Sequence, residues 1–222
     1  MSTPSSQMIA ALAYAHRGWM VFPLGADTKG RSADGRSTHL LPAGHKDASC
    51  DLNLIRNWWT RWPDANIGLS LSASGLVAID ADLYKPGCDW YDVSIGKTLP
   101  PTFTQASPRG GRHYVFSADK STKFPGKLCQ GVDVKHHGYI LLAPSTFEGK
   151  PYEVVDDSSP VRCPDWIATF CEPRERRAAV LQFEQNPANR SEVAELLSWI
   201  DPDGRAQDHA DAGAEGAVAR PI

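Results

Sequence analysis

The chain has 222 residues, 41% of them hydrophobic and 22% charged, with a formal net charge of −3. That length and composition suit one ordinary domain plus an appendage and exclude a fibrous or wholly disordered chain. The slightly negative balance excludes nucleic-acid binding through bulk charge, so any anion site must be a local patch.

Residues 7–17 carry Ile9, Leu12, Ala13 and His16 at helical spacing, with Gly18 where a helix would stop. Residues 19–24 form a compact apolar strand. A long polar segment, 25–49, follows, and a loop of that length inside a domain is usually functional or disordered. It holds Lys29, Arg31, Arg36, His45 and Lys46, most of which are read as solvated. Residues 47–51 can cap a helix through Leu52, Ile55, Trp58 and Trp59, ended by Trp62-Pro63. The tryptophan cluster is read as core.

Residues 65–71 and 75–80 read as two strands joined by a Ser/Ala/Gly turn. The second is Gly75-Leu76-Val77-Ala78-Ile79-Asp80-Ala81-Asp82, an apolar run that ends on two carboxylates. Uninterrupted Leu, Val and Ile imply a strand buried on both faces. Side chains at i and i+2 share a face roughly 6.5–7 Å apart, so Asp80 and Asp82 can lean toward one divalent cation.

Residues 102–107 read as a further strand. Pro108-Arg109-Gly110-Gly111-Arg112-His113-Tyr114-Val115-Phe116 then places two arginines around two glycines, a composition suited to a phosphate-bearing ligand, with His113, Val115 and Ser117 on one strand face. Gly131-Val132-Asp133-Val134-Lys135 puts Asp133 and Lys135 on the face opposite the valines. His136 and His137 would point to opposite sides of a strand, which argues against a joint metal site. Residues 139–143 read as a buried strand, 152–155 as a short one, and 163–167 as the start of a closing helix. Beyond them, 173–190 reads as a charged linker, 191–200 as an amphipathic helix capped by Ser191, and 201–222 as a disordered tail.

Five cysteines, Cys50, Cys88, Cys129, Cys163 and Cys171, are scattered without CxxC spacing or a histidine partner. Neither disulfides nor zinc is expected, and reduced thiols in a cytoplasm are. No segment has the length of a membrane span, and the N-terminus lacks the form of a signal peptide.

Asp80, Asp82, Asp133, His113, Arg109, Arg112 and Lys135 all lie on or beside strands, on segments far apart in sequence. Carboxylate oxygens suit Mg²⁺ or Mn²⁺. Two such ions held by three acids can bridge an attacking oxygen and a triphosphate, with basic side chains on the phosphates. The constellation asks for a nucleotide.

In order, "FPL", "GHKDA", "WPDANIGL", "GLVAIDAD", "PRGGRHYVF", "GVDVK" and "GYILLAPS" resemble the bifunctional DNA primase/polymerase domain of the archaeo-eukaryotic primase superfamily, over roughly residues 8–168. The resemblance implies an α+β fold: a central, mainly antiparallel sheet of modified RNA-recognition-like form, flanked by helices, within residues 1–172. It implies that Asp80, Asp82 and Asp133 are metal ligands and that His113 contacts the phosphates of the incoming nucleotide. Arg109, Arg112 and Lys135 are added as nucleotide-binding residues on charge and placement. Some members have Ser where Gly111 stands; Gly keeps the backbone donors. The Cys/His zinc insert of some relatives is absent, and residues 191–200 resemble the start of a helical primase C-terminal module.

The expected activity is primer synthesis on single-stranded DNA from NTP or dNTP, with a replicative helicase supplied in trans. The location would be the cytoplasm, or a host's if the gene is phage- or plasmid-borne. Two alternatives remain at this point: a non-catalytic nucleic-acid-binding replication module, and a glycosyltransferase using Asp80 and Asp82 on a metal-nucleotide. The second leaves "GGRH" and "VDVK" without a purpose.

Overall fold

The computed structural model describes residues 3–169 apart from 89, 91–93, 95, 98 and 120, so the expected linker, terminal helix and tail lie outside the described residues. Helix α1 (Ser6–His16) starts where Ser5 Oγ accepts from Met8 N at 3.2 Å. Helix α2 (Leu52–Arg61) starts where Asp51 Oδ1 accepts from Asn53 N and Leu54 N, at 2.8 and 3.0 Å. In each case a side-chain oxygen satisfies amides that have no intrahelical partner. The two helices bury Tyr14, Ile55, Trp58 and Trp59 in a shared core, and Trp59 Nε1 donates to Ala65 O at 3.0 Å. The tryptophan cluster is core, as the sequence implied.

Among the described residues the strands form two antiparallel sheets and a hairpin. The smaller sheet has the order β1 (Val21–Leu24), β2 (Asn66–Ser70), β8 (Tyr139–Leu142). The larger has the order β11 (Glu153–Asp156), β4 (Thr104–Ala106), β5 (Arg112–Ser117), β3 (Leu76–Ala81), β7 (Val132–Lys135), β6 (Lys127–Cys129). Strands β9 (Thr146–Phe147) and β10 (Lys150–Pro151) make the hairpin. The fold is α+β with a mainly antiparallel sheet, consistent with a primase-like core. The turn expected between β2 and β3 is a single helical turn, α3 (Leu71–Ser74), which carries the chain from the small sheet to the large one. It ends on Gly75 at φ +66°, a conformation costly for any residue with a Cβ.

Strand β3 is buried on both faces, as its apolar run required. Leu76 and Ala78 enter the core beneath α1 and α2. Val77, Ile79 and Ala81 enter a second core with Trp90, Phe116 and Ile167, the last from α4 (Asp165–Thr169). Asp80 therefore continues the Leu76–Ala78 face, the one turned toward the small sheet. No described helix is long and apolar enough to cross a membrane.

Candidate active site

Register decides the site. Asp80 stands directly opposite His113 on β5 and Asp133 on β7, and His113 stands opposite Gln105 on β4. Opposed residues share a face with their Cβ atoms about 4.5–5.5 Å apart, so Gln105, His113, Asp80 and Asp133 form one row across four strands. Asp82 lies just past β3 on the same alternation, and its N–H donates to Gly131 O at 2.8 Å, which ties it to the turn before β7. Lys135 shares the face of Asp133, two residues on.

Within the row the polar groups are matched. Gln105 is fully buried; its Nε2 donates to Leu141 O at 2.6 Å and its Oε1 accepts from Ala143 N at 3.1 Å. These backbone partners leave no freedom in how the amide is turned, so its remaining N–H points at His113 Nδ1, 2.9 Å away. Nδ1 must accept, which places the ring proton on Nε2, and Nε2 lies 3.2 Å from Asp80 Oδ1. The other oxygen of Asp80 meets Lys135 Nζ at 2.8 Å. Burial pushes the Asp80 carboxyl up, but the His113 hydrogen bond and the Lys135 charge outweigh it and hold the group well below the usual carboxylate range. Burial likewise opposes the charge on Lys135, and Asp80 overcomes it, so that lysine is raised. Asp82 is paired with Lys85.

His113 is 5% exposed with both ring nitrogens engaged, so here it positions Asp80, and meeting a phosphate would require that bond to open. Arg109 is exposed and forms a two-point pair with Glu148 on the β9–β10 turn, its guanidinium 5.0 Å from the Phe147 ring centroid. Arg112 is not brought to the row. It stands opposite Ala81, which enters the second core, and strand alternation sends it to the other face from His113. Gly111 serves packing: a Cβ there would lie 2.8 Å from Ala81 O, and its N–H already donates to Ser107 Oγ at 3.0 Å.

Two participants had weak signals or none. Lys29, in the loop read as solvated, is exposed, with Nζ 4.4 Å from the Phe147 ring centroid. Partial desolvation of its ammonium lowers its pKa, while Asp80 and Asp82 pull it back up. The loop is tied down: Tyr139 Oη donates to Lys29 O and Asn66 Nδ2 to Thr28 O, both at 3.0 Å. Nothing near Lys29 in sequence announces this. Gln105 was legible only as a polar residue inside a predicted strand.

Among the described residues no three His, Cys, Asp or Glu side chains close around one point as a finished metal cage. The ammonium groups of Lys135 and Lys85 sit against Asp80 and Asp82, where they supply the positive charge the acids require. The donors are nonetheless hard oxygens on one face, the set that Mg²⁺ or Mn²⁺ takes.

No curated protein matches the chain. The family model for the bifunctional DNA primase/polymerase N-terminal domain (Prim-Pol) matches residues 11–166, a span that contains the whole row and Lys29. A DNA primase/polymerase type of function, with DNA and nucleotides as substrates, goes with that match. With β3, β5 and β7 carrying the acids and histidine in register, and the match covering most of its length, the chain belongs to the bifunctional DNA primase/polymerase N-terminal domain family.

Proposed function

We propose that the chain is a DNA-dependent nucleotidyltransferase that makes primers on single-stranded DNA, joining the 3′-hydroxyl of one nucleotide to the α-phosphate of an NTP or dNTP with release of pyrophosphate. The observation that supports this best is the register that puts Asp80 opposite both His113 and Asp133. Asp80, Asp82 and Asp133 would hold one or two Mg²⁺ or Mn²⁺ ions, with Lys135 and Lys85 giving way. When bound, such ions activate the attacking hydroxyl and neutralise the triphosphate. His113 keeps Asp80 ionised and oriented, and Gln105 keeps the histidine in the tautomer that does so. Lys135, half-buried, and Lys29, exposed, would meet phosphate oxygens as charge develops. Arg109 would join them on leaving Glu148.

The test is primer synthesis on single-stranded DNA with Mg²⁺ or Mn²⁺. The conservative changes Asp80→Asn and Asp133→Asn should each lower the rate by about 100-fold or more. A folded Asp80→Asn protein with undiminished synthesis would overturn the assignment. The lysines seated on Asp80 and Asp82 favour one second reading, a binding module that has kept the fold without the chemistry. Calorimetry separates the two: Mn²⁺-dependent binding of a nucleoside triphosphate belongs to the enzyme, and its absence to the module.

A further inference from the structure

At the end of β3 remote from the acids, His45, Lys46, Ser70, Ser72, His136 and His137 border a cavity of about 520 Å³. No carboxylate lines it. His45 and Lys46 come from the 3-10 turn Gly44–Asp47, pinned to β1 by paired backbone bonds between Val21 and Ser49 at 3.0 and 2.9 Å. The adjacent acid is turned away: Asp47 Oδ2 accepts from Ala43 N at 2.8 Å. Lys46 makes no ion pair among the described residues. His136 and His137, expected on opposite sides of a strand, lie beyond the end of β7 with ring centroids 4.9 Å apart, and both border this cavity. The chain leaves the strand at that point, so alternation no longer separates them.

One ammonium with imidazole and hydroxyl donors, and no acid, is a set that can receive phosphate oxygens. Gly75 also borders the cavity, and Asp80 lies five residues further along β3, about 17 Å away at a rise of about 3.4 Å per residue. One strand of nucleic acid advances about 3.4 Å per nucleotide along its axis, so that separation corresponds to about five nucleotides. We infer that this cavity holds a backbone phosphate of the DNA strand, roughly five nucleotides from the nucleotide being joined. The inference rests on the primase/polymerase reading and adds to it a strand-tracking contact outside the row of acids. It also gives "GHKDA" and the two histidines a common purpose.

The experiment measures binding of the full chain to a fluorescent single-stranded oligonucleotide longer than that spacing, over about 50 to 200 mM salt. The variants are Lys46→Gln, His137→Gln and the pair, both residues being exposed, so little packing is lost. The double variant should bind DNA about ten-fold more weakly whatever the base sequence, and its salt slope should fall by about 0.7 for each phosphate no longer neutralised. Its melting temperature and its Mn²⁺-dependent nucleotide binding should match the parent's. Unchanged DNA affinity and slope overturn the inference. Loss of nucleotide binding alone also overturns it, since the cavity would then serve a triphosphate. If the parent protein binds no DNA, the primase/polymerase reading fails as well; if it binds DNA and the variants equal it, only this inference fails.

Discussion

Asp80 is held by donors on both neighbouring strands, and the consequence runs through pH. Its carboxyl sits below the usual range in the folded chain, so the unfolded chain binds the proton more readily. The stability it contributes is complete above the ordinary carboxylate pKa, about 4, and is lost as pH falls below it. Thermal melts from about pH 6 down to pH 2 should show an acid limb that is shallower in Asp80→Asn than in the parent. At neutral pH the same variant should be less stable by about 1–3 kcal/mol, because Lys135 keeps its half-buried charge and loses its partner. Gly111 has a different importance. Its missing Cβ lets the backbone of Ala81 come close, so Gly111→Ala should cost about 1–3 kcal/mol in urea unfolding while leaving the acids themselves intact.

Two elements reach the site by contacts that local sequence does not encode. Strand β4 supplies Gln105, whose amide binds the backbone of residues 141 and 143 next to the small sheet and the His113 ring in the large one. Replacing it with Leu would leave buried partners unsatisfied, at a cost of about 2–3 kcal/mol. Gln105→Glu is the sharper test. A carboxylate accepts at both oxygens, so each ring nitrogen of His113 would face an acceptor and the ring should carry a proton on Nδ1 as well as Nε2, a change visible by nitrogen NMR of the imidazole and accompanied by slower primer synthesis. The 25–49 segment is the second such element. Its polar composition was legible as a long functional or disordered loop, yet its tethers to Asn66 and Tyr139 carry Lys29 to the acids. Lys29 is exposed, as a solvated loop residue is; what local sequence does not show is that these tethers, which join residues far apart in the chain, bring its charge within reach of Asp80 and Asp82.

At the scale of the whole molecule, the family match spans residues 11–166, within the 1–172 expected from the sequence as one unit. A chain ending at Glu172 should melt within about 2 °C of the parent and keep Mn²⁺-dependent nucleotide binding. A large loss of either would show that the remaining residues complete the unit. The sequence by itself determined what depends on neighbours along the chain: the cap at Asp51, the doubly buried β3, and the alternation that separates Asp133 from its valines. It also supplied the acids and histidine as a set. What it left open was partnership. A period of two says which side chains share a face and is silent on which strand lies alongside, so the register of Asp80 with His113 and Asp133, the place of Arg112 on the opposite face beside Ala81, the pairing of Arg109 with Glu148 and the nearness of Lys29 to the acids were settled by tertiary packing. Those pairings join segments tens of residues apart, and the two sheets and the cores between them are what bring the segments together.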